Sequence, residues 1–160
     1  MIEIPLTGKH GKGKVALIDD SDWDRVKNYQ WRLWKTCNVY RPQAYIRGKL
    51  ISLHQFILGQ KWADHKNRDT LDHQRENLRL CTRSQNGANS KKRTHFKNIP
   101  TSSQYKGVHW YYKKWQAQIC VNGNRIYLGR FTHERDAAYA YNKSAQEHFG
   151  EFAKLNQIGE

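Results

Sequence analysis

Hydrophobic and polar residues alternate in short runs over residues 1–60, a pattern that predicts short strands around one helix. Lys14–Ile18 predicts a strand, because β-branched and apolar residues follow a loop rich in glycine and lysine. Apolar residues recur at helical spacing over residues 23–29, after acidic residues that can cap a helix. Val39–Ile46 and Leu50–Ile57 alternate well enough to predict two strands of a hairpin.

The middle of the chain predicts a short strand followed by a helix. Leu78–Cys81 is the strand candidate. Thr82 and Gln85 then match a capping box, with a threonine at the N-cap and a glutamine three residues later. A helix should therefore begin near Arg83 and run toward Lys91, although Gly87 weakens it by roughly 1 kcal/mol.

The last third of the chain predicts three strands and one long helix. The strand runs are Tyr105–Trp110, Trp115–Val121 and Arg125–Phe131. Asn122-Gly123 separates the last two and is the dipeptide that two-residue hairpins prefer. Apolar residues form one stripe over residues 133–149, and Gly150 stands where a helix C-cap belongs.

These patterns predict an α+β protein with two modules. Residues 1–90 would form the first module, with a β-β-helix hairpin at about 53–90. Residues 91–104 would be a basic linker, because this stretch is polar and free of acidic residues. Residues 105–156 would form a three-stranded antiparallel sheet packed on one helix.

Composition and charge point to a polyanionic partner. The 160 residues carry 28 Lys+Arg against 14 Asp+Glu, a formal net charge of +14, and only 38% of them are hydrophobic. Such an excess favours nucleic acid, because neutralising phosphates releases condensed counterions. A membrane partner is not expected, since no basic stretch carries an apolar face of helical period and no apolar run approaches the roughly 18–20 residues of a spanning helix.

Cysteine content narrows the class of protein further. The three cysteines, Cys37, Cys81 and Cys120, are odd in number and far apart in sequence. They give neither a disulfide framework nor a CxxC zinc motif, so no zinc is expected. The N-terminus has no secretory hydrophobic region, and a cytoplasmic protein is the expectation.

Four polar residues in the middle of the chain can perform phosphodiester chemistry together. Asp64 and His65 are adjacent, Asn77 lies twelve residues beyond His65, and Asn86 lies nine residues further. A carboxylate can bind a divalent cation while a neutral imidazole removes a proton from water. Each of these residues alone is more often structural or solvated, but a β-β-helix hairpin can gather all four around one phosphate.

Residues 54–89 resemble the HNH homing endonucleases of phages and introns, which carry a ββα-metal site. The resemblance implies that Asp64 and Asn86 bind one Mg²⁺ or Mn²⁺ and that His65 is the general base. It also implies that Asn77 holds the histidine and its loop in place. The reaction would be hydrolysis of a phosphodiester bond of DNA.

The chain departs from that family pattern within the loop. Asp72-His73-Gln74-Arg75 stands where relatives usually have Asp-Asn-Arg-Arg. His73 could contact phosphate, serve as a spare metal ligand or replace the usual residue neutrally. His54 lies among apolar neighbours in a predicted strand, where a buried structural histidine is at least as plausible as a ligand.

Residues 105–156 resemble the AP2 domain of plant ethylene-response factors and of many phage endonucleases. The matching phrases include Tyr105-Lys106-Gly107-Val108, Leu128-Gly129-Arg130-Phe131 and Leu155-Asn156. The resemblance implies a sheet that reads the major groove. The implied DNA contacts are Lys106, His109, Tyr111, Lys114, Gln118, Arg125 and Tyr127, and Lys91, Lys92 and Arg93 of the basic linker are added to them.

The combined interpretation is a metal-dependent endonuclease, bacterial or phage-encoded, that acts on double-stranded DNA as a monomer. A second hypothesis is a non-catalytic, sequence-specific DNA-binding regulator that uses the hairpin only to bind phosphate. A third is an RNA-cutting or structure-specific nuclease.

Overall fold

A computed structural model describes residues 1–36, 39–96 and 98–159, with no description of the Phe96 side chain. The chain divides into two compact units, Met1–Thr82 and Arg83–Glu160. Secondary structure is mixed, with small antiparallel sheets and short helices, in agreement with the predicted α+β class.

In its described residues, 1–36 and 39–82, the first unit contains three small sheets and two short helices. Its strands are β1 (Ile2–Pro5), β2 (Val15–Ile18), β3 (Arg32–Thr36), β4 (Val39–Ile46), β5 (Lys49–Ser52), β6 (Ala63–His65) and β7 (Leu78–Leu80). Its helices are α1 (Trp23–Val26), which continues a 3-10 turn at Asp20–Asp22, and α2 (Leu53–Leu58). The strand orders are β1-β2, β3-β4-β5 and β6-β7.

One apolar cluster joins these elements. It includes Ile4, Ile18, Val26, Trp31, Leu53 and Ile57, all at most 3% exposed. Trp31 satisfies its indole N–H by donating to the Val26 carbonyl at 3.1 Å. Burying a side chain of this size contributes about 1.5–3 kcal/mol, so the cluster fixes α2 against the sheets.

The prediction that Leu50–Ile57 forms one strand is wrong for its second half. The strand ends at Ser52, and Leu53–Leu58 is helical. Leu53 and Ile57 are four residues apart and both buried, which is the spacing of one helix face. The helix ends at Gly59, whose φ of 69° is the left-handed conformation of a C-cap. His54 therefore lies on a helix and not on a strand.

The second unit begins with a short helix and ends with a long one. Its helices are α3 (Arg83–Asn89) and α4 (Glu134–Phe149), and its strands are β8 (His95–Phe96), β9 (Ile99–Pro100), β10 (Val108–Tyr111), β11 (Lys114–Val121) and β12 (Asn124–Phe131). β10, β11 and β12 form an antiparallel sheet in that order. The predicted turn at Asn122-Gly123 has φ values of 51° and 87°, as a two-residue hairpin requires.

Two buried clusters lie between this sheet and α4. One comprises Ala88, Ile119, Tyr141, Ala145 and Phe149, and the other includes Val108, Ala117, Ala137 and Ala138. Ala88 belongs to α3, so α3 packs within the second unit. The boundary between the two compact units therefore lies between Thr82 and Arg83, whereas the sequence pattern predicts that the first module ends after residue 90.

The predicted linker 91–104 contains a small hairpin, in which Phe96 pairs with Ile99. Lys97, within that linker, lies outside the described residues. Cys81 and Cys120 are free thiols, and Cys37 also lies outside the described residues. None of the helices in the described part of the chain is long and apolar enough to cross a bilayer.

Candidate active site

A two-stranded hairpin in the first unit carries the adjacent pair Asp64 and His65. β6 pairs with β7 so that Asp64 lies opposite Arg79 and His65 lies opposite Leu78. Neighbouring residues on a strand project to opposite faces. Asp64 and His65 are both buried, at 6% and 8% exposure, so they occupy two different protein environments.

The His65 ring packs against two other imidazoles. Its centroid lies 4.8 Å from that of His73 and 5.9 Å from that of His54, with interplanar angles of 83° and 86°. His54 and His73 are nearly parallel, at 14° and 6.3 Å. The three rings come from α2, from β6 and from the loop between β6 and β7.

The surroundings of His65 favour its neutral form. Burial is the largest effect and lowers the pKa of His65 from 6.5, and Arg41 lowers it further. The carboxylates of Asp64, Asp69 and Asp72 oppose this shift in the pKa but do not reverse it. A neutral imidazole near pH 7 can accept a proton, which is the state that a general base requires.

Burial also keeps the other two imidazoles neutral. It lowers the pKa of His54 to about 4, with His65 and Arg41 adding to the effect. It lowers the pKa of His73 well below 6.5, and the neighbouring His65 ring contributes in the same direction. All three rings therefore present neutral nitrogens at physiological pH.

Asn77 connects both ends of the loop that follows His65. Its Oδ1 accepts a hydrogen bond from the Asn67 backbone N–H at 3.0 Å, and its Nδ2 donates to the Asp72 carbonyl at 2.8 Å. Its own carbonyl accepts from the Lys66 N–H at 2.8 Å. Because Lys66 follows His65 directly, these bonds limit movement of the strand end that carries the imidazole.

Asp64 forms an ion pair with Arg79 across the hairpin. Nε and Nη2 of Arg79 donate to Oδ2 of Asp64 at 3.1 and 2.9 Å, and both side chains are about nine-tenths buried. A carboxylate is the ligand type that Mg²⁺ and Mn²⁺ prefer, so Asp64 has the chemistry of a hard-cation ligand. Sequence reasoning did not single out Arg79, although the register places it directly opposite.

Asn86, the other predicted metal ligand, lies on α3 in the second unit. The helix begins at Arg83, as the capping box predicts, and Asn86 is half-buried on it. Asp64, His65 and Asn77 share one hairpin of the first unit. The pairing of Asp64 with Asn86 stays a prediction.

Most of the predicted DNA contacts share one face of the second unit's sheet. Tyr111 lies opposite Lys114, Gln118 opposite Tyr127, and Cys120 opposite Arg125. Ala117 and Ile119, which alternate with them, are buried against α4. His109, Tyr111, Lys114, Gln118, Arg125 and Tyr127 are therefore on the side of the sheet away from α4, here called the open face.

Arg130 also belongs to the open face and was missed from the sequence. Simple alternation after Arg125 and Tyr127 predicts that residue 129 is the next residue on the open face. The register of the β11–β12 pair, however, shifts between Ala117 and Gln118. Arg130 is consequently opposite Gln116, and its guanidinium lies 5.3 Å from the Tyr111 ring centroid. A β-bulge of this kind is not visible in the alternation pattern.

Two of the predicted DNA-binding lysines make internal contacts. Lys106 donates from Nζ to the carbonyls of Gly87, Ala88 and Ser90 at 3.1, 2.6 and 2.8 Å. Lys92 donates to Thr101 Oγ1 at 2.8 Å, and burial lowers its pKa. Lys91 and Arg93 are exposed. The Lys106 ammonium thus satisfies carbonyls around the end of α3.

Comparison with known proteins matches the same segment of the chain. Residues 60–88, which contain Asp64, His65, Asn77 and Asn86, match a family model described as HNH endonuclease. The chain is also 33% identical over 168 residues to a protein of Acanthamoeba polyphaga mimivirus named "Uncharacterized HNH endonuclease L560". That alignment covers 99% of this chain and 82% of the viral protein.

This chain belongs to the HNH endonuclease family. An HNH endonuclease is a nuclease that acts on DNA, and the family generally uses a divalent metal ion. No solved structure matches this endonuclease.

Proposed function

We propose that this HNH endonuclease hydrolyses phosphodiester bonds of duplex DNA with His65 as the general base. The observation that carries the proposal is the environment of His65, which is buried, has a lowered pKa and ends a strand whose following loop is bound by Asn77. An imidazole in this state can take a proton from water without first losing one.

In the proposed reaction, the imidazole of His65 accepts a proton from water, and the water oxygen bonds to phosphorus. The bond from phosphorus to the 3′ oxygen breaks, and that oxygen leaves with the electron pair. Asn77 is a positioning residue, because it binds the loop and does not touch the reacting atoms. Arg79 fixes the orientation of the Asp64 carboxylate.

The hard-oxygen chemistry of Asp64 fits the divalent cation of the family. Asp64 would hold Mg²⁺ or Mn²⁺, and the bound cation would neutralise charge on the phosphate. Asn86 stays the second ligand that the sequence predicts. Arg79 supports this role by holding the Asp64 carboxylate in one orientation.

We also propose that the open face of the second unit binds the DNA duplex in the manner of an AP2 domain. Arg125, Arg130 and Lys114 place positive charge on this face, and Gln118 and Tyr127 add groups that can hydrogen-bond to base edges. A phosphate-binding hairpin carries little sequence information, so a separate reader would supply the specificity.

The catalytic proposal is tested by incubating supercoiled plasmid with Mg²⁺, Mn²⁺ or EDTA. The wild-type protein should nick or linearise it only with metal. His65→Ala should lose about 10²–10⁴-fold in rate and still shift DNA in a gel, because a general base acts on the reaction and not on binding. His148→Ala, at an exposed position of α4, is the matched control and should cut as the wild type does.

Two outcomes would overturn this assignment. Cleavage by His65→Ala at the wild-type rate would remove His65 from the mechanism. A wild-type protein that shifts DNA and cuts it with none of the metals would instead support the hypothesis of a non-catalytic regulator.

The open face is tested by the salt dependence of DNA affinity. Arg125→Ala should weaken binding and, if it neutralises a phosphate, reduce the slope of log affinity against log salt by about 1. Lys143→Ala removes an equal charge from an exposed position of α4 and should leave that slope unchanged. Equal effects of the two variants would show that the open face is not the binding surface.

A further inference from the structure

Three histidines of the first unit form a cluster whose donor atoms converge. One ligand atom from each of His54, His65 and His73 lies within 4.8 Å of the other two. Among the residues that the structure describes, this is the one set of three or more such side chains that could bind a metal ion. The proposed hard-cation site uses oxygen atoms of Asp64 and Asn86, so it does not account for this cluster.

His73 is the unusual member of the cluster. Its side chain is 1% exposed, and neither Nδ1 nor Nε2 forms a hydrogen bond of normal length and angle with a described residue, although the Leu71 backbone acts on the ring and partly offsets the lowering of its pKa. A buried polar group without a partner costs about 1–3 kcal/mol, so such a group needs an explanation. Its position is well defined, because the His73 backbone N–H donates to the Leu17 carbonyl at 2.8 Å.

We propose that His54, His65 and His73 form a binding site for one transition-metal cation of borderline softness, such as Zn²⁺. Three imidazoles and a fourth position for water are a common donor set for zinc. Imidazole nitrogen suits Zn²⁺, Co²⁺, Ni²⁺ and Cu²⁺, whereas Mg²⁺ and Mn²⁺ prefer oxygen. The site therefore selects a different class of metal from that proposed for cleavage.

The geometry requires only a modest contraction. Zinc–nitrogen bonds of about 2.0–2.1 Å place tetrahedral ligand atoms about 3.3 Å apart. Donor atoms within 4.8 Å of one another therefore need to move closer by up to about 1.5 Å. His54 Nε2 lies 3.1 Å from Ser52 Oγ, a contact that can orient this ring as outer-sphere hydrogen bonds do.

Metal binding here would connect α2, β6 and the loop between β6 and β7. If His65 is the general base, which rests on the proposed function, a bound Zn²⁺ would occupy the lone pair that accepts the proton. Zinc should then inhibit cleavage that Mg²⁺ supports. The cluster would be an inhibitory site as well as a structural one.

Binding is tested first without any cleavage assay. The metal-free full-length protein is titrated with Co²⁺, whose visible absorption reports nitrogen coordination in a tetrahedral site, and Zn²⁺ is then added to displace it. The expected result is one equivalent of Co²⁺ per chain with a visible band that Zn²⁺ removes. Zinc should also raise the melting temperature of the wild type, because it binds the folded state.

Matched variants locate the site. His73→Asn and His54→Asn should each weaken Co²⁺ binding at least tenfold, since even loss of an outer-sphere partner costs about 10–100-fold. His148→Asn removes an exposed histidine of α4 and should bind Co²⁺ as the wild type does. Circular dichroism identifies any variant that has not folded, and the zinc-induced rise in melting temperature of the wild type remains as an independent readout.

The results separate this proposal from the proposed function. A wild type that shows no visible band and no zinc-dependent stabilisation would overturn the metal site. Equal Co²⁺ affinity in the wild type and a folded His73→Asn would do the same. If Co²⁺ binds as expected but His65→Ala still cleaves DNA at the wild-type rate, the metal site stands and the assignment of the base fails.

Discussion

Arg75 binds the buried carboxylate of Asp22 through two hydrogen bonds, Nε to Oδ2 and Nη2 to Oδ1, both 2.8 Å long. Asp22 is 1% exposed, and the Arg75 backbone N–H also donates to Asp19 Oδ2 at 2.7 Å. The pairing raises the pKa of Arg75, with the Asp22 hydrogen bond as the largest cause. It anchors the loop that carries His73 and Asn77 to the N-terminal part of the first unit.

Arg75→Ala should destabilise the first unit by about 1–3 kcal/mol. The substitution leaves a buried carboxylate without its bidentate partner, and that desolvation cost is the main loss. A fully buried pair would cost more, but the Arg75 side chain is 47% exposed and water can partly replace it. Urea unfolding followed by tryptophan fluorescence measures the change.

Lys27→Ala is the control for Arg75→Ala. Lys27 pairs with Asp24, and both side chains are well exposed. A surface pair of this kind contributes little, so the change should stay within about 0.5 kcal/mol. Equal losses of unfolding free energy in the two variants would show that the buried Arg75–Asp22 pair stabilises the protein no more than an exposed ion pair does.

Asn77→Ala should slow DNA cleavage by about 10–100-fold while leaving DNA affinity unchanged. The loop after His65 loses the bonds to Asn67 and Asp72, and small errors in position of a catalytic group reduce rates by such factors. The backbone amide of Asn67 should also exchange its hydrogen faster, which reports loop opening directly.

Asn77→Asp separates the two bonds of this residue. A carboxylate can still accept from the Asn67 N–H but cannot donate to the Asp72 carbonyl. Its cleavage rate should fall between those of the wild type and Asn77→Ala. Wild-type cleavage by both variants would contradict the positioning role.

Local patterns predicted the elements whose cause is local. The Asn122-Gly123 turn and the start of α3 at Arg83 follow from the φ preference of a few residues and from a capping box. The strand prediction was wrong for residues 53–57 because apolar residues at positions 53 and 57 fit one face of a strand and one face of a helix equally well. Packing of that face onto the core of the first unit decided between them.

The candidate site shows the same division between local and distant causes. Asp64, His65 and Asn77 are close in sequence and lie on one hairpin, so a motif could identify them. The imidazole cluster could not be derived in this way, because His54 joins His65 only through the packing of α2. Likewise Ala88 draws α3 into the second unit through contacts with residues more than 30 positions away.

The wild-type protein should lose stability at high pH because of Tyr141, and Tyr141→Phe should abolish that loss. Burial raises the pKa of Tyr141 from 10.0 to about 12, so the folded state keeps its proton over a range in which the unfolded state loses it. Stability of the second unit should therefore fall as the pH rises from 10 toward 12, by up to about 3 kcal/mol. Thermal unfolding of the wild type and the variant at pH 9 and pH 11 measures this difference.

Tyr139→Phe is the control for this alkaline effect. Tyr139 lies on the same helix but is 57% exposed, against 4% for Tyr141. Its substitution should leave the wild-type fall of stability intact. An equal alkaline fall in wild type and Tyr141→Phe would place the effect on another group.

Gly107→Ala should destabilise the second unit by about 3 kcal/mol or more. A Cβ at this position would lie 2.0 Å from Tyr141 Cδ2 and 2.7 Å from the Gln118 carbonyl oxygen, and the backbone has a φ of +77°. Backbone strain and overpacking therefore both contribute to the loss of stability.

Gly123→Ala isolates the backbone strain, because Gly123 has a φ of +87° and a Cβ there would have nothing within 4 Å. This substitution should cost about 1 kcal/mol of stability. Tyr141→Phe cannot rescue Gly107→Ala, since the phenyl ring retains the atoms that clash. Equal unfolding free energies for Gly107→Ala and Gly123→Ala would mean that the Tyr141 ring can move aside.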